Sequence, residues 1–153
     1  MKNVLSEVRY ELYESVEELS QEDRSLLEAA IEATETAYAP YSNFHVGAAV
    51  LMENGEVVRG SNQENAAYPS GLCAERVAVF AAGSHYPGVK IKAIAITAMF
   101  NDSHEPLSVS PCGDCRQVMA EYERLRQVAS GRAVQTQPPP ARPRAIPNAP
   151  ATM

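Results

Sequence analysis

Residues 46–60 read Val46-Gly47-Ala48-Ala49-Val50-Leu51-Met52-Glu53-Asn54-Gly55-Glu56-Val57-Val58-Arg59-Gly60. Two β-rich runs, Val46–Met52 and Val57–Gly60, flank Glu53-Asn54-Gly55-Glu56. Asn-Gly is a strong hairpin signal, because the tight turn joining two antiparallel strands needs positive φ at its central positions. Upstream, Ser20-Gln21-Glu22-Asp23 has the form of an N-cap with an acid three residues on. Leu26, Leu27, Ala30, Ile31, Thr34 and Tyr38 then keep a helical period until Pro40 stops it. Nearer the N-terminus, Val4, Val8, Tyr10 and Leu12 alternate with period two, as an edge strand would. Downstream, residues 73–83 read as a short buried helix with Val77, Ala78, Phe80 and Ala81 as its apolar positions. Ile91–Thr97 reads as a strand and 112–126 as a second amphipathic helix. Hairpin, helix, strand and helix in that order predict a sheet with helices packed on it, an α/β sandwich.

The chain has 153 residues, 45% hydrophobic and 21% charged, which fits one soluble globular domain. No stretch approaches the ~20 apolar residues of a membrane span, and the first residues lack the apolar core of a secretion signal. The formal charge of −6 disfavours a nucleic-acid partner, whose backbone rewards Lys/Arg clusters. Three cysteines cannot all pair, so reduced thiols and a cytoplasmic setting are expected. The charge is uneven along the chain. Residues 1–35 hold ten acids against Lys2, Arg9 and Arg24, a net of −7 that reads as a solvated face. From Arg124 onward there are five arginines and no acid, and six of the eleven prolines lie in 138–153. Such a composition buries too little surface to offset ordering entropy, so disorder is expected over 129–153. The organisation expected is an extension over 1–19, a domain over 20–128 and a Pro/Arg-rich tail over 129–153.

The chemistry gathers at two helix starts: Cys73-Ala74-Glu75-Arg76, and Pro111-Cys112-Gly113-Asp114-Cys115-Arg116-Gln117. Cys112 and Cys115 are three apart at the start of a helix, so both thiols can face one point. Pro111 suits that start, since a helix leaves its first N–H groups unpaired anyway. Two converging helix N-termini give a positive field that is expected to lower thiol pKa values. Three thiolates with one open position describe a catalytic zinc, whereas a structural site would want four ligands. Glu75 lies two residues after the first thiol, near the metal without being bound to it. A lone Cys-x-x-Cys could instead be a thioredoxin-like redox pair, but no strand immediately precedes it and Cys-Ala-Glu stands upstream. His45, His85 and His104 show no ligand spacing and read as structural or solvent-exposed.

This pattern resembles the zinc-dependent cytidine deaminases, with their Cys/His-Ala-Glu and Pro-Cys-x-x-Cys segments. Ala39-Pro40-Tyr41-Ser42-Asn43-Phe44-His45-Val46-Gly47-Ala48-Ala49 and Asn62-Gln63-Glu64-Asn65-Ala66-Ala67-Tyr68 match as well. The resemblance covers about 20–123 and is nearest to the small, all-cysteine branch acting on free nucleosides. It implies an α/β/α sandwich with a mixed five-stranded sheet, usually assembled as a homotetramer. It implies one Zn2+ per subunit on Cys73, Cys112 and Cys115, with Glu75 as the proton shuttle. It further implies that Asn62 and Glu64, with Gln63 between them, bind the ribose hydroxyls and that Phe44 lies against the nucleoside. The implied enzyme is a hydrolase acting on a cyclic amidine C–N bond in pyrimidine salvage. It converts cytidine or 2'-deoxycytidine to the uridine product and ammonia with a zinc-bound hydroxide. Its partner is a small nucleoside, with no nucleic acid and no membrane.

Three thiolates on Zn2+ sum to −1, which works against activating water. Arg76 could offset that charge, as an arginine after the glutamate does in the all-cysteine branch, and so could Arg116, which could equally be a solvated helix residue. Phe44 by itself would be core packing, Asn62 a turn residue and Glu64 a surface acid. The Tyr-Ser-Asn-Phe setting and the Asn-x-Glu spacing eleven residues before Cys73 favour the nucleoside roles. The chain leaves the family pattern after the Cys-x-x-Cys helix, where Arg124-Leu125-Arg126-Gln127-Val128-Ala129-Ser130-Gly131 leads into the proline-arginine tail. The last two family strands are therefore expected to be missing, with the sheet ending at the Ile91–Thr97 strand. A truncated or frame-shifted C-terminus gives an alternative function, a zinc-binding relative with impaired or no catalysis.

Overall fold

The computed structural model describes residues 10–100, 105–126 and 132–135. The elements run α1 (Gln21–Ala33), β1 (Phe44–Met52), β2 (Val57–Ser61), α2 (Ala74–His85), β3 (Ile91–Phe100), α3 (Gly113–Arg126) and β4 (Arg132–Gln135). The sheet order is β2-β1-β3-β4, with β1 antiparallel to β2 and β3, and β4 parallel to β3. At the predicted hairpin turn, Gly55 takes φ +87° and the Asn54 side chain accepts from the Glu56 N–H.

The continuous apolar run in β1 follows from its position, because a strand covered on both faces has no solvent side. Ala49 and Leu51 of β1 and Ala93 and Ala95 of β3 face α1 through Leu26, Leu27 and Ala30. Ala48, Val50, Met52, Ile94 and Ile96 face the other way, against Ala74, Ala78, Val79 and Ala82 of α2. Val118, Met119 and Tyr122 of α3 close the same layer. The result is the expected α/β/α sandwich. Gly60 sits where β2 meets α2, and a Cβ there would run into the Ala78 amide. The missing side chain therefore lets the α2 backbone lie directly on the sheet.

Ser20 caps α1, its hydroxyl accepting from the Asp23 N–H and donating to the Asp23 carboxylate. The helix ends at Ala33, before the Pro40 stop expected of it. The Tyr38 backbone is engaged elsewhere: its N–H donates to the Asn62 carbonyl and its carbonyl accepts from the Glu64 N–H. The buried side of α2 is its row of small residues, and Phe80 is 42% exposed rather than packed inward.

Two terminal expectations need correction or qualification. Tyr10 and Leu12 are exposed and belong to no strand, while Val4 and Val8 lie outside the described residues. The sheet does not end at β3, since β4 pairs Ala93↔Arg132 through Ile96↔Gln135. Proline's exclusion from a ladder applies only from Pro138 onward. The rest of 127–153 lies outside the described residues. Among the described residues, no helix is long and apolar enough to cross a membrane.

Candidate active site

Cys73 is the last extended residue before α2, with φ −70° and ψ 152°. Its thiol makes no capping bond to the helix, which leaves the sulfur available. Across the site, the Arg116 N–H donates to the Cys112 carbonyl at 3.0 Å as α3 begins, and Cys115 lies in its first turn. The sulfurs of Cys73 and Cys112 are 3.8 Å apart, those of Cys112 and Cys115 3.5 Å, and all three lie within 4.8 Å of one another. Zn–S bonds of about 2.3 Å at tetrahedral angles place sulfurs about 3.8 Å apart. The donor set therefore fits zinc in both chemistry and spacing. Cys73 is half-buried, Cys112 exposed and Cys115 buried.

The thiols do not share one electrostatic state. The backbone N–H of Cys115 pulls the Cys112 thiol below its ordinary pKa, as a helix N-terminus should. Burial pushes the Cys73 thiol up, with Arg76 acting against it. Burial and then the Glu75 charge push the Cys115 thiol well up. The expected lowering thus holds for Cys112 alone, because desolvation outweighs the helix field at the other two. Metal binding has to displace those protons, so it is coupled to pH.

Glu75, in the first turn of α2, is only 5% exposed. Its negative charge adds to burial in raising the Cys115 thiol, so the carboxylate lies within electrostatic reach of the cluster. The Arg76 guanidinium lies 3.7 Å from the Cys73 sulfur. Arg116 is exposed, and its Nε donates to the Pro111 carbonyl at 2.9 Å. Of the two arginines considered for offsetting thiolate charge, Arg76 is thus the one seated on a sulfur.

The 62–64 segment is fixed on two sides. Its backbone exchanges hydrogen bonds with Tyr38, and Gln63 exchanges both N–H and C=O with Leu72, the residue before Cys73. This brings Asn62, Gln63 and Glu64 alongside the start of α2. The Asn62 side chain accepts from the Val46 N–H at 2.8 Å and donates to the Phe44 carbonyl at 2.9 Å. Gln63 donates to the Ser61 hydroxyl at 3.2 Å and is turned back toward Thr36. The Glu64 carboxylate accepts from the Tyr41 and Ser42 N–H groups and from the Ser42 hydroxyl. Phe44 opens β1 with its ring 4.9 Å from that of Phe100.

The family model described as "cytidine and deoxycytidylate deaminase zinc-binding region" matches residues 20–131. The chain belongs to this family. A cytidine deaminase of Halalkalibacterium halodurans is 54% identical over 97 residues, covering 63% of this chain and 68% of the relative. One from Sporosarcina psychrophila is 50% identical over 98 residues, covering 63% and 67%. The crystal structure of cytidine deaminase from Burkholderia pseudomallei superposes with a TM-score of 0.56 at 45% identity, over 66% of this chain and 75% of that one. The matches thus span about two thirds of the curated relatives' length.

Within this deaminase-family chain, two features of the site were not assigned by sequence reasoning. Phe100 pairs with Phe44, yet nothing in an isolated aromatic at a strand end marks it. Ser42 joins Glu64 to the Phe44 N–H. Its position two residues before Phe44 was visible, but its partner is 22 residues away. His45 faces the Thr34 carbonyl at 3.3 Å and His85 lies beside Tyr86, while His104 is outside the described residues. Among the described residues, Cys73, Cys112 and Cys115 are the group that could hold a metal.

Proposed function

We propose that this chain hydrolytically deaminates cytidine and 2'-deoxycytidine, releasing uridine or 2'-deoxyuridine and ammonia. The observation that carries this reading is three thiols brought together at two helix starts, with the buried Glu75 in the first turn of one of those helices. Cys73, Cys112 and Cys115 would hold Zn2+, which when bound brings the pKa of a water to about 7. Glu75 takes the proton of the attacking water on a carboxylate oxygen and passes it to ring N3, which makes C4 electrophilic. A C4–O bond forms, Glu75 takes the remaining proton from the new C4 hydroxyl and gives it to the amino group, and the C4–N bond breaks to release ammonia. Arg76, beside the Cys73 sulfur, offsets the surplus negative charge of three thiolates. Phe44 lies against the nucleoside, and Asn62 and Glu64 take the sugar hydroxyls.

A cytoplasmic role in pyrimidine salvage suits three free cysteines and a free-nucleoside substrate. A homotetramer is the assembly the family resemblance suggests. The reading of a non-catalytic zinc protein draws its support from the C-terminal departure, though β4 already supplies one strand at that edge. Turnover by the full chain distinguishes the two. Zinc-loaded protein is expected to hold about one zinc per subunit and to bleach the cytidine ultraviolet band as ammonia accumulates. A chain that holds zinc and binds cytidine but releases no ammonia would refute the deaminase reading.

A further inference from the structure

The Glu64 carboxylate is an occupied acceptor before any substrate arrives. Its Oε2 accepts from the Tyr41 N–H at 2.9 Å and the Ser42 N–H at 3.3 Å, and its Oε1 accepts from the Ser42 hydroxyl at 2.5 Å. An ionised carboxylate offers about four lone-pair sites, two on each oxygen. Among the described residues, the two on Oε2 and one of the two on Oε1 are taken. The Ser42 oxygen in turn accepts from the Phe44 N–H at 3.1 Å. One hydroxyl therefore orients the acid proposed to read the sugar and the backbone of the residue proposed to lie against the nucleoside. Asn62 is similarly committed to the Val46 N–H and the Phe44 carbonyl, so among the described residues it keeps one N–H and one lone pair free.

We propose that Ser42 is a positioning residue for sugar recognition: its hydroxyl fixes the Glu64 carboxylate so that one Oε1 lone pair is presented to a single nucleoside hydroxyl. This rests on the deaminase reading and adds to it a residue that touches no reacting atom. The Ser42 hydroxyl and the Tyr41 N–H also hold the Glu64 carboxyl below the usual glutamate range, which keeps it an acceptor. Without the hydroxyl, the carboxylate keeps only its two backbone donors, both on Oε2, and Oε1 is free to swing. A substrate with a 2'- or 3'-hydroxyl for Glu64 to accept from should feel that loss, and one lacking both should not.

The test compares the zinc-loaded full chain with Ser42→Ala and Ser42→Thr on cytidine and on 2',3'-dideoxycytidine, by steady-state kinetics and by calorimetric binding of uridine. A carboxylate left free to swing forfeits part of its charge-assisted bond to the sugar hydroxyl, so Ser42→Ala should raise the cytidine KM at least about fivefold with kcat nearly unchanged. The dideoxy substrate should change less than about twofold, the uridine Kd should rise in parallel with the cytidine KM, and Ser42→Thr should restore both. The Ser42→Ala effect should also vanish in a Glu64→Gln background, since the two act as one unit. If Ser42→Ala does not fold, Ser42→Cys keeps the shape with a poor donor and should show the same split. An equal rise on both substrates, or none, overturns the proposal. A parent chain that binds uridine without deaminating cytidine refutes the deaminase reading alone, because uridine binding still reads the Ser42 effect. One that binds no nucleoside overturns both.

Discussion

Replacing Glu75 with Gln separates metal binding from proton transfer. Gln has nearly the same volume, so the α2 surface that packs Ala74, Ala78 and Ala82 against the sheet is undisturbed. The side chain is 5% exposed, which leaves little room for bulk water to take over as base. General acid–base help is worth about 10²–10⁴-fold per transfer. The same carboxylate serves the water, the ring nitrogen and the leaving amine, so these losses act as a unit rather than multiplying. A fall of at least about 10³-fold in kcat is expected, equal to about 4 kcal/mol of barrier at about 1.36 kcal/mol per decade. Cytidine turnover at the ultraviolet band gives the rate, and metal analysis of the same sample gives the zinc content. Zinc should stay at the parental level, because the three thiol donors are untouched. Turnover within about tenfold of the parent would remove Glu75 from the proton path and refute the reasoning.

Cys112→Ser should abolish zinc binding, since it deletes the sulfur lying within 3.8 Å of both others; full zinc content in that variant would overturn the ligand assignment. Gly60→Ala puts a methyl into the Ala78 amide, an overpacking cost of about 1–3 kcal/mol that thermal unfolding should register as a lower midpoint. An unchanged midpoint would mean that α2 does not need this close approach. The Glu64 carboxyl is held below its ordinary pKa by the Ser42 hydroxyl and then the Tyr41 N–H. Its contribution is therefore fully present above the unfolded value of about 4.3 and is lost as pH falls through the lower folded value. The protection of the Tyr41 and Ser42 amides, taken relative to their intrinsic exchange rates, should fall as the acid limb is entered, and Glu64→Gln should remove that limb.

Local chemistry explains which features could be read in advance. The Asn54-Gly55 turn, the Ser20–Asp23 cap and the two cysteine-bearing helix starts each rest on residues within four positions of one another. The features that differed depend on partners far along the chain. Helical periodicity carries α1 to Tyr38, but that backbone is claimed by residues 62–64. Phe80 reads as core by composition, yet the inward face of α2 is set by what can lie against Gly60, and only small residues can. β4 is four residues long with a single β-branched member, Val134, so neither length nor propensity announces it. Burial likewise decides the thiol protonation at Cys73 and Cys115, and a helix-start motif carries no information about burial.

The two halves of the site are built by different forces, and this has a consequence for how the chain responds to change. Cys73, Glu75 and Arg76 take their places because α2 is pressed onto the sheet by Ala74, Ala78, Val79 and Ala82, a contact of small apolar side chains with no slack. Interiors packed at that density transmit displacement, so a core substitution beneath α2 moves the sulfur and the carboxylate together. Asn62, Glu64 and Phe44 are instead held by a mesh of hydrogen bonds at the sheet end, much of it exposed. Each such bond is individually modest where solvent competes for it, and its loss is local. Substitutions in the mesh should therefore change KM and leave zinc in place, whereas substitutions under α2 should change zinc content and kcat together. A Gly60→Ala protein that kept full zinc and kcat while its cytidine KM alone rose would contradict this division, because it would place Gly60 in service of the sugar half.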